Sequence, residues 1–278
     1  MIFLWQRFSS DRRYLIQKYI ISMVSKNQIK LITSLQQKKF RLANELFFVE
    51  GQKVLESLFG LPQKGIQELL QSDFELYHLF ETEPLFSGVS TAKKTMLSGT
   101  DLKKISALAT PNNCLAVFKI PKSKPMVEKG LLVALDDIRD PGNLGTIIRL
   151  CDWFGVSQIV CSPETVDVYN PKVVQATMGS ISRVQVHYIE LEAFLTQTKL
   201  PVFGTFMDGE NIYKESLPKE GILVFGNEAN GISEKIARLA PHKIAIPRFG
   251  ANAQTESLNV ATATAIVLSE FCRNPSGM

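Results

Sequence analysis

The stretch Leu131-Leu-Val-Ala-Leu135, followed by Asp140-Pro-Gly-Asn-Leu-Gly145 and Thr146-Ile-Ile-Arg-Leu-Cys-Asp-Trp-Phe154, decides the fold of this chain. A short apolar run without alternation is a strand covered on both faces, and the Pro-Gly turn after it leads into a segment of helical period. The pattern recurs. Residues 158–161, 184–187, 202–205, 222–225 and 243–246 are further apolar runs, and helical segments follow most of them. Strands alternating with helices pack as an open, mostly parallel sheet covered by helices, so residues 131–278 are expected to form one α/β domain.

Upstream the pattern differs. Ile29, Ile32, Leu35, Val54, Leu55, Leu58 and Phe59 recur at helical spacing around an extended piece, Leu46-Phe-Phe-Val-Glu50. A strand at 75–79, a helix at 101–108 and a strand at 114–118 complete a smaller α/β domain, placed at 23–119. Residues 120–130, rich in Pro and Lys and without period, are expected to be a linker, and 1–22 an extension outside the fold.

With 45% hydrophobic and 21% charged residues, the 278-residue chain has a globular composition. The net charge of +4 is uneven: residues 1–120 carry 16 basic against 10 acidic residues, and 121–278 carry 15 against 17. Lys26, Lys30, Lys38, Lys39 and Arg41 lie between Val24 and Arg41 with no acid among them. Such a run suits the phosphates of a nucleic acid, and a solvated helix face accounts for it as well. Four scattered cysteines and three isolated histidines have no metal-ligand spacing, which argues against a metal site and fits a reducing cytoplasm. No stretch is long and apolar enough for a membrane span.

Three loops follow strands of the larger domain, where open α/β sheets bind ligands. In the first, Asn143 suits the N-cap of a helix beginning at Leu144, and Gly145 leaves room on the helix face that carries Arg149. A capped helix with a surface arginine explains this segment equally. The second, Val224-Phe-Gly-Asn-Glu-Ala-Asn-Gly-Ile-Ser233, is a glycine- and asparagine-rich loop around Glu228, which is either an outward acid or a brace for the site. The third runs from Ile246-Pro247 to Glu256-Ser-Leu-Asn-Val-Ala261 and puts Ser257 and Asn259 at the mouth of an apolar helix.

Asn143-x-Gly145-x-x-x-Arg149, Gly226-Asn-Glu228, and Ile246-Pro247 with Glu256–Ala261 resemble, in order, the three signature motifs of the SpoU/TrmH family. Residues 25–118, with Phe48-Val-Glu-Gly51, resemble that family's RNA-binding domain. The resemblance implies a trefoil-knotted α/β sheet of the SPOUT type, a homodimer in which both subunits shape the site, and S-adenosylmethionine-dependent methylation of a ribose 2′-hydroxyl in ribosomal or transfer RNA. It places the cofactor on main-chain groups around Phe225, Gly226, Asn227, Ile246, Pro247 and Leu258. Arg149, Asn143, Glu228, Ser257 and Asn259 become the catalytic and substrate-positioning residues. Arg149 corresponds to the residue proposed to activate the hydroxyl, yet a guanidinium is protonated at neutral pH and is an awkward base. Its expected part is orientation and assisted deprotonation, and the final proton acceptor, a neighbouring RNA phosphate among the options, stays open. The sequence departs from the family's pattern in its longer 248–256 connection and in Ala229-Asn230, where a glycine is frequent.

Two other readings compete. A Rossmann oxidoreductase or methyltransferase also alternates strands and helices, but GxGxxG is absent after the first strand of the larger domain. A protein that only binds RNA needs the basic N-terminal domain and none of the three polar loops.

Overall fold

The computed structural model describes residues 22–59, 74–250 and 257–273. The greater part of the expected extension and the segment 251–256, including Glu256, lie outside the described residues. The chain divides into two compact units, Met1–Pro121 and Lys122–Met278.

The first unit is a four-stranded sheet with helices on it. Helices α1 (Lys26–Ser34) and α2 (Lys38–Asn44) precede β1 (Leu46–Glu50) and α3 (Gln52–Phe59); β2 (Leu76–Glu81), β3 (Lys94–Met96), α4 (Gly99–Ile105) and β4 (Cys114–Lys119) follow. The strand order is β1-β4-β2-β3, with β4 antiparallel to both neighbours and β3 parallel to β2. Ser25 starts α1 through a capping box with Gln28. Because alternate residues of a strand face opposite ways, Phe48 joins Ile32, Leu35, Phe80 and Ile105 on one face, while Phe47 meets the Phe74 and Phe118 rings on the other. Ser22, the one described residue of the expected extension, donates its N–H to Met96 O at 2.9 Å.

The second unit is a six-stranded sheet in which every pairing is parallel. Its elements are β5 (Leu131–Asp136), α5 (Pro141–Trp153), β6 (Gln158–Cys161), α6 (Pro171–Thr177), β7 (Gln185–Tyr188), α7 (Leu191–Gln197), β8 (Val202–Asn211), β9 (Gly221–Gly226), α8 (Glu234–Ala237), β10 (His242–Ala245) and α9 (Val260–Cys272). The order β10-β8-β9-β5-β6-β7 sets β5, first in sequence, between β6 and β9. The connections therefore run outward in opposite directions from β5 and β9, and the loops at the carboxyl ends of these two strands border a crevice. Of the expected linker, Val127 exchanges hydrogen bonds with the Gln158 amide (3.0 and 2.8 Å), and Met126 packs on the core of this unit.

Two local expectations need correction. Helix α5 begins at Pro141, and its N-cap is Asp140, whose carboxylate accepts from Asn143 N at 2.8 Å. Proline at the first helical position has no N–H to satisfy, and a carboxylate one residue earlier takes an orphan amide, so Asn143 is not needed as the cap. Gly145 does not open space beside Arg149. A Cβ there would lie 2.4 Å from Ala176 Cβ and 2.8 Å from Val173 O, so the glycine lets α5 lie close against α6. Gly145→Ala is expected to force the helices apart and cost about 1–3 kcal/mol, read as a lower denaturation midpoint.

Candidate active site

The crevice is tied together by side chains from three loops. After β5 the chain turns through Asp137, at φ +59°, and reaches the start of α5. After β9, Asn227 and Gly231 exchange N–H···O bonds of 2.9 Å, and Asn227 Oδ1 accepts from Ala229 N and Asn230 N at 2.9 and 3.1 Å. This closes a small turn that holds Glu228 at its exposed tip. Gly226 is needed by the turn itself, because a Cβ would come within 2.1 Å of the Gly231 and Ile232 main chain. Asn227 Nδ2 donates to Asp137 O at 2.7 Å, and Ser233 N donates to the buried Asp136 carboxylate at 2.7 Å, so the two loops are latched at both ends.

Glu228 is the junction. Its carboxylate accepts from Arg139 N (3.4 Å), Asp140 N (3.2 Å) and Asn143 Nδ2 (2.9 Å). Asn143 Oδ1 in turn accepts from Asn259 Nδ2 at 2.8 Å. Asn259 also caps α9, its Oδ1 accepting from Ala261 N and Thr262 N at 3.0 and 3.2 Å. Residues 143, 228 and 259, taken from three separate motifs, thus form one hydrogen-bonded chain. The alternative of Glu228 as an idle outward acid does not describe this geometry. Ser257 and Leu258 stand just before that cap; both are exposed, Leu258 to 50%.

Arg149 is not part of this chain of bonds. It is exposed on α5, on the face that also carries the exposed Thr146 and Trp153, the latter at 84%. Phe225 is buried and the Asn227 amide is occupied, so either can meet a ligand only through its main chain. Gly226, Ile246 and Pro247 are half-buried at the same end of the sheet. Sequence reasoning missed Arg139 and Asp140 as main-chain donors, since only the register between loops reveals which amides face Glu228. Among the described residues no group of three His, Cys, Asp or Glu is placed to hold a metal ion, and no helix is long and apolar enough to cross a membrane.

In the first unit Lys26, Lys30, Lys38 and Lys39 are exposed, but Arg41 is not. Its guanidinium is buried and Nη1 donates to Leu35 O (2.8 Å) and Gln36 O (3.0 Å), satisfying carbonyls at the end of α1. Arg41 is therefore not available to meet a phosphate as expected: its guanidinium is buried on carbonyls at the end of α1. Arg41→Met is expected to lower the stability of this unit by about 1–3 kcal/mol per carbonyl left unpaired, measured by denaturant titration. Lys26→Ala and Lys30→Ala should leave that midpoint unchanged.

Residues 130–269 match the model of the SpoU rRNA Methylase family, and residues 26–116 that of an MRM3-like substrate binding domain. The chain is 29% identical over 249 residues, 88% of its length and 96% of the relative's, to the 23S rRNA (guanosine(2553)-2′-O)-methyltransferase RlmP of Bacillus subtilis. Among solved structures it is similar to a TrmH-family protein from Porphyromonas gingivalis, with 37% identity and TM-score 0.78 over 90% of this chain and 98% of that one. It is also similar to the AdoMet-bound rRNA methyltransferase of Sinorhizobium meliloti, with 28% identity and TM-score 0.74 over 91% and 97%.

Proposed function

This chain belongs to the SpoU rRNA methylase family, and we propose that it methylates a ribose 2′-hydroxyl in RNA, ribosomal rather than transfer RNA, using S-adenosylmethionine. The observation that carries this is the bonded chain Glu228–Asn143–Asn259, which brings polar groups of three loops to the switch point of a parallel sheet. The relatives named for 2′-O methylation of ribosomal RNA supply the reaction class.

The residues present fit the cofactor. Adenosine and a methionine chain ask for main-chain donors and acceptors beside apolar surface, and Gly226, Asn227, Ile246, Pro247 and Leu258 offer both at one end of the sheet. When bound, the cofactor supplies an electrophilic methyl group on a sulfonium. The protein's work is to align the hydroxyl in line with that methyl and to assist removal of its proton. In this reading Glu228, Asn143 and Asn259 hold the loops, Ser257 contacts the ribose or its phosphate, and Arg149 orients the hydroxyl and neighbouring phosphate.

Arg149 lies apart from the three-loop chain but on the same exposed face of α5 as Trp153. We read this face as one that a homodimer covers, bringing Arg149 to a site both copies shape, in the knotted SPOUT arrangement that the family resemblance implies for the C-terminal domain. Trp153→Glu is expected to give a monomer by light scattering and to lose activity with it; a dimer of unchanged mass would remove this part of the reading. The N-terminal domain, 23–119, contributes the RNA-binding lysines, and the cytoplasm, where free thiols persist, is the expected compartment.

The test is transfer of labelled methyl from S-adenosylmethionine to ribosomal RNA from cells lacking the protein, followed by alkaline hydrolysis. One hydrolysis-resistant linkage in ribosomal RNA is expected. Label on a base, or in transfer RNA alone, overturns the reading.

A further inference from the structure

The N-terminal unit contains a cavity of about 300 Å³ between α1 and β2 that the reaction described above does not use. Its floor is apolar and deeply buried, formed by Ile32, Phe80 and Val117. Its rim is made of Gln28 and Leu31 from α1 and Tyr77 and His78 from β2. Tyr77 is 47% exposed although it sits within a strand. The cause is a break in register: Leu76 pairs with Phe118 and His78 with Val117, so Tyr77 is an extra residue with no partner across the ladder. Such a bulge re-aims a side chain, and here it presents an aromatic ring at the mouth of a cavity.

The polar atoms at the rim are committed on one side only. Gln28 Oε1 accepts from Ser25 N (2.9 Å), which leaves its amide NH₂. His78 Nε2 is bonded to Thr95 Oγ1 (2.8 Å), which leaves Nδ1, and desolvation lowers the pKa of this ring, favouring the neutral imidazole. A flat aromatic face, a hydrogen-bonding edge and an apolar floor together match one ligand chemistry, an unpaired nucleobase.

We propose that this cavity receives one unstacked base of the RNA substrate, its face on Tyr77 and its edge toward Gln28 and His78. This rests on the reading that the substrate is RNA, and it adds that the substrate is held through a single-stranded element. A double helix cannot enter, because its bases are stacked and paired.

The experiment uses the full chain and fluorescein-labelled RNA: short oligo(U), oligo(A) and a blunt duplex of equal length, followed by anisotropy. Tyr77→Ala is expected to weaken single-strand binding about tenfold, as loss of one base–aromatic stack does, while Tyr77→Phe binds as wild type and duplex affinity is unchanged. Unpaired 5-iodouridine in oligo(U) is expected to photocrosslink to wild-type protein at the peptide containing Tyr77, a readout that needs no variant. With ribosomal RNA as substrate, Tyr77→Ala should raise KM and spare kcat. The proposal is overturned if Tyr77→Ala binds single strands as wild type does, if it weakens duplex equally, or if the crosslink falls on the Lys38–Lys39 segment alone. Wild type that methylates ribosomal RNA while Tyr77→Ala is indistinguishable from it sinks the cavity assignment only; wild type that neither binds nor methylates RNA sinks the functional reading as well.

Discussion

With Arg149 replaced by alanine, methyl transfer to RNA is expected to fall by about two to three orders of magnitude while S-adenosylmethionine binds as before. The separation follows from where the residue stands. Arg149 is exposed on α5, outside the hydrogen bonds that join Glu228, Asn143 and Asn259, so its truncation leaves the loops and the cofactor's main-chain groups in place. In the proposed reading, what is lost is a planar fork of donors for the ribose hydroxyl and phosphate, a geometry that a lysine's compact ammonium does not reproduce. Arg149→Lys is therefore expected to recover only a small part of the rate. Single-turnover transfer beside calorimetric titration of the cofactor decides the point. Abolished cofactor binding with normal turnover on the bound fraction would show that Arg149 serves the cofactor instead.

Glu228→Ala carries the second large effect, a loss of about a hundredfold in kcat with little change in unfolding midpoint. Among the described residues the carboxylate is the acceptor common to Arg139 N, Asp140 N and Asn143 Nδ2, and Asn143 in turn orients Asn259. Removing it leaves the Asn227–Asp137 and Ser233–Asp136 latches but loosens the start of α5 and the Asn143–Asn259 pair, and misplacement by about an ångström is enough for that loss of rate. Because Glu228 is exposed, water takes over the abandoned amides and the fold is spared. Glu228→Gln keeps the size but turns an NH₂ toward N–H donors, so it should recover part of the rate and not all of it. A normal kcat accompanied by a marked fall in midpoint would make Glu228 a structural brace without a part in the reaction.

The parts of the fold that were legible share a cause. The inner strands β5, β6 and β9 and the start of β8 were visible as apolar runs, because a strand covered on both faces has no polar side to disguise it, and the edge strands β7 and β10 showed as shorter, more mixed runs. β1 at Leu46–Glu50 was visible for the same reason. The short β3, Lys94–Met96, was not, since three half-buried residues carry no period. β8 continues to Asn211 through Met207-Asp-Gly-Glu210, residues whose composition suggests a loop and whose extension comes from pairing with β10.

The sequence offered candidate site residues by type and spacing, but not their partnerships. Motif order singled out Asn143, Glu228 and Asn259, whereas the bonds that unite them join residues 85 and 116 positions apart. Arg41 was grouped with the lysines because charge is a local property, while burial depends on what packs over it.

By itself the sequence determined the alternation of strands and helices, the two-domain plan and the three polar loops, because hydrophobic period, turn residues and capping act within a few positions of each other. Only the tertiary structure decided that Glu228 faces the start of α5, that Gly145 serves a helix contact and that Tyr77 is turned outward by a bulge. Those outcomes depend on strand order and register, which pair segments distant in the chain and leave no trace in either segment alone.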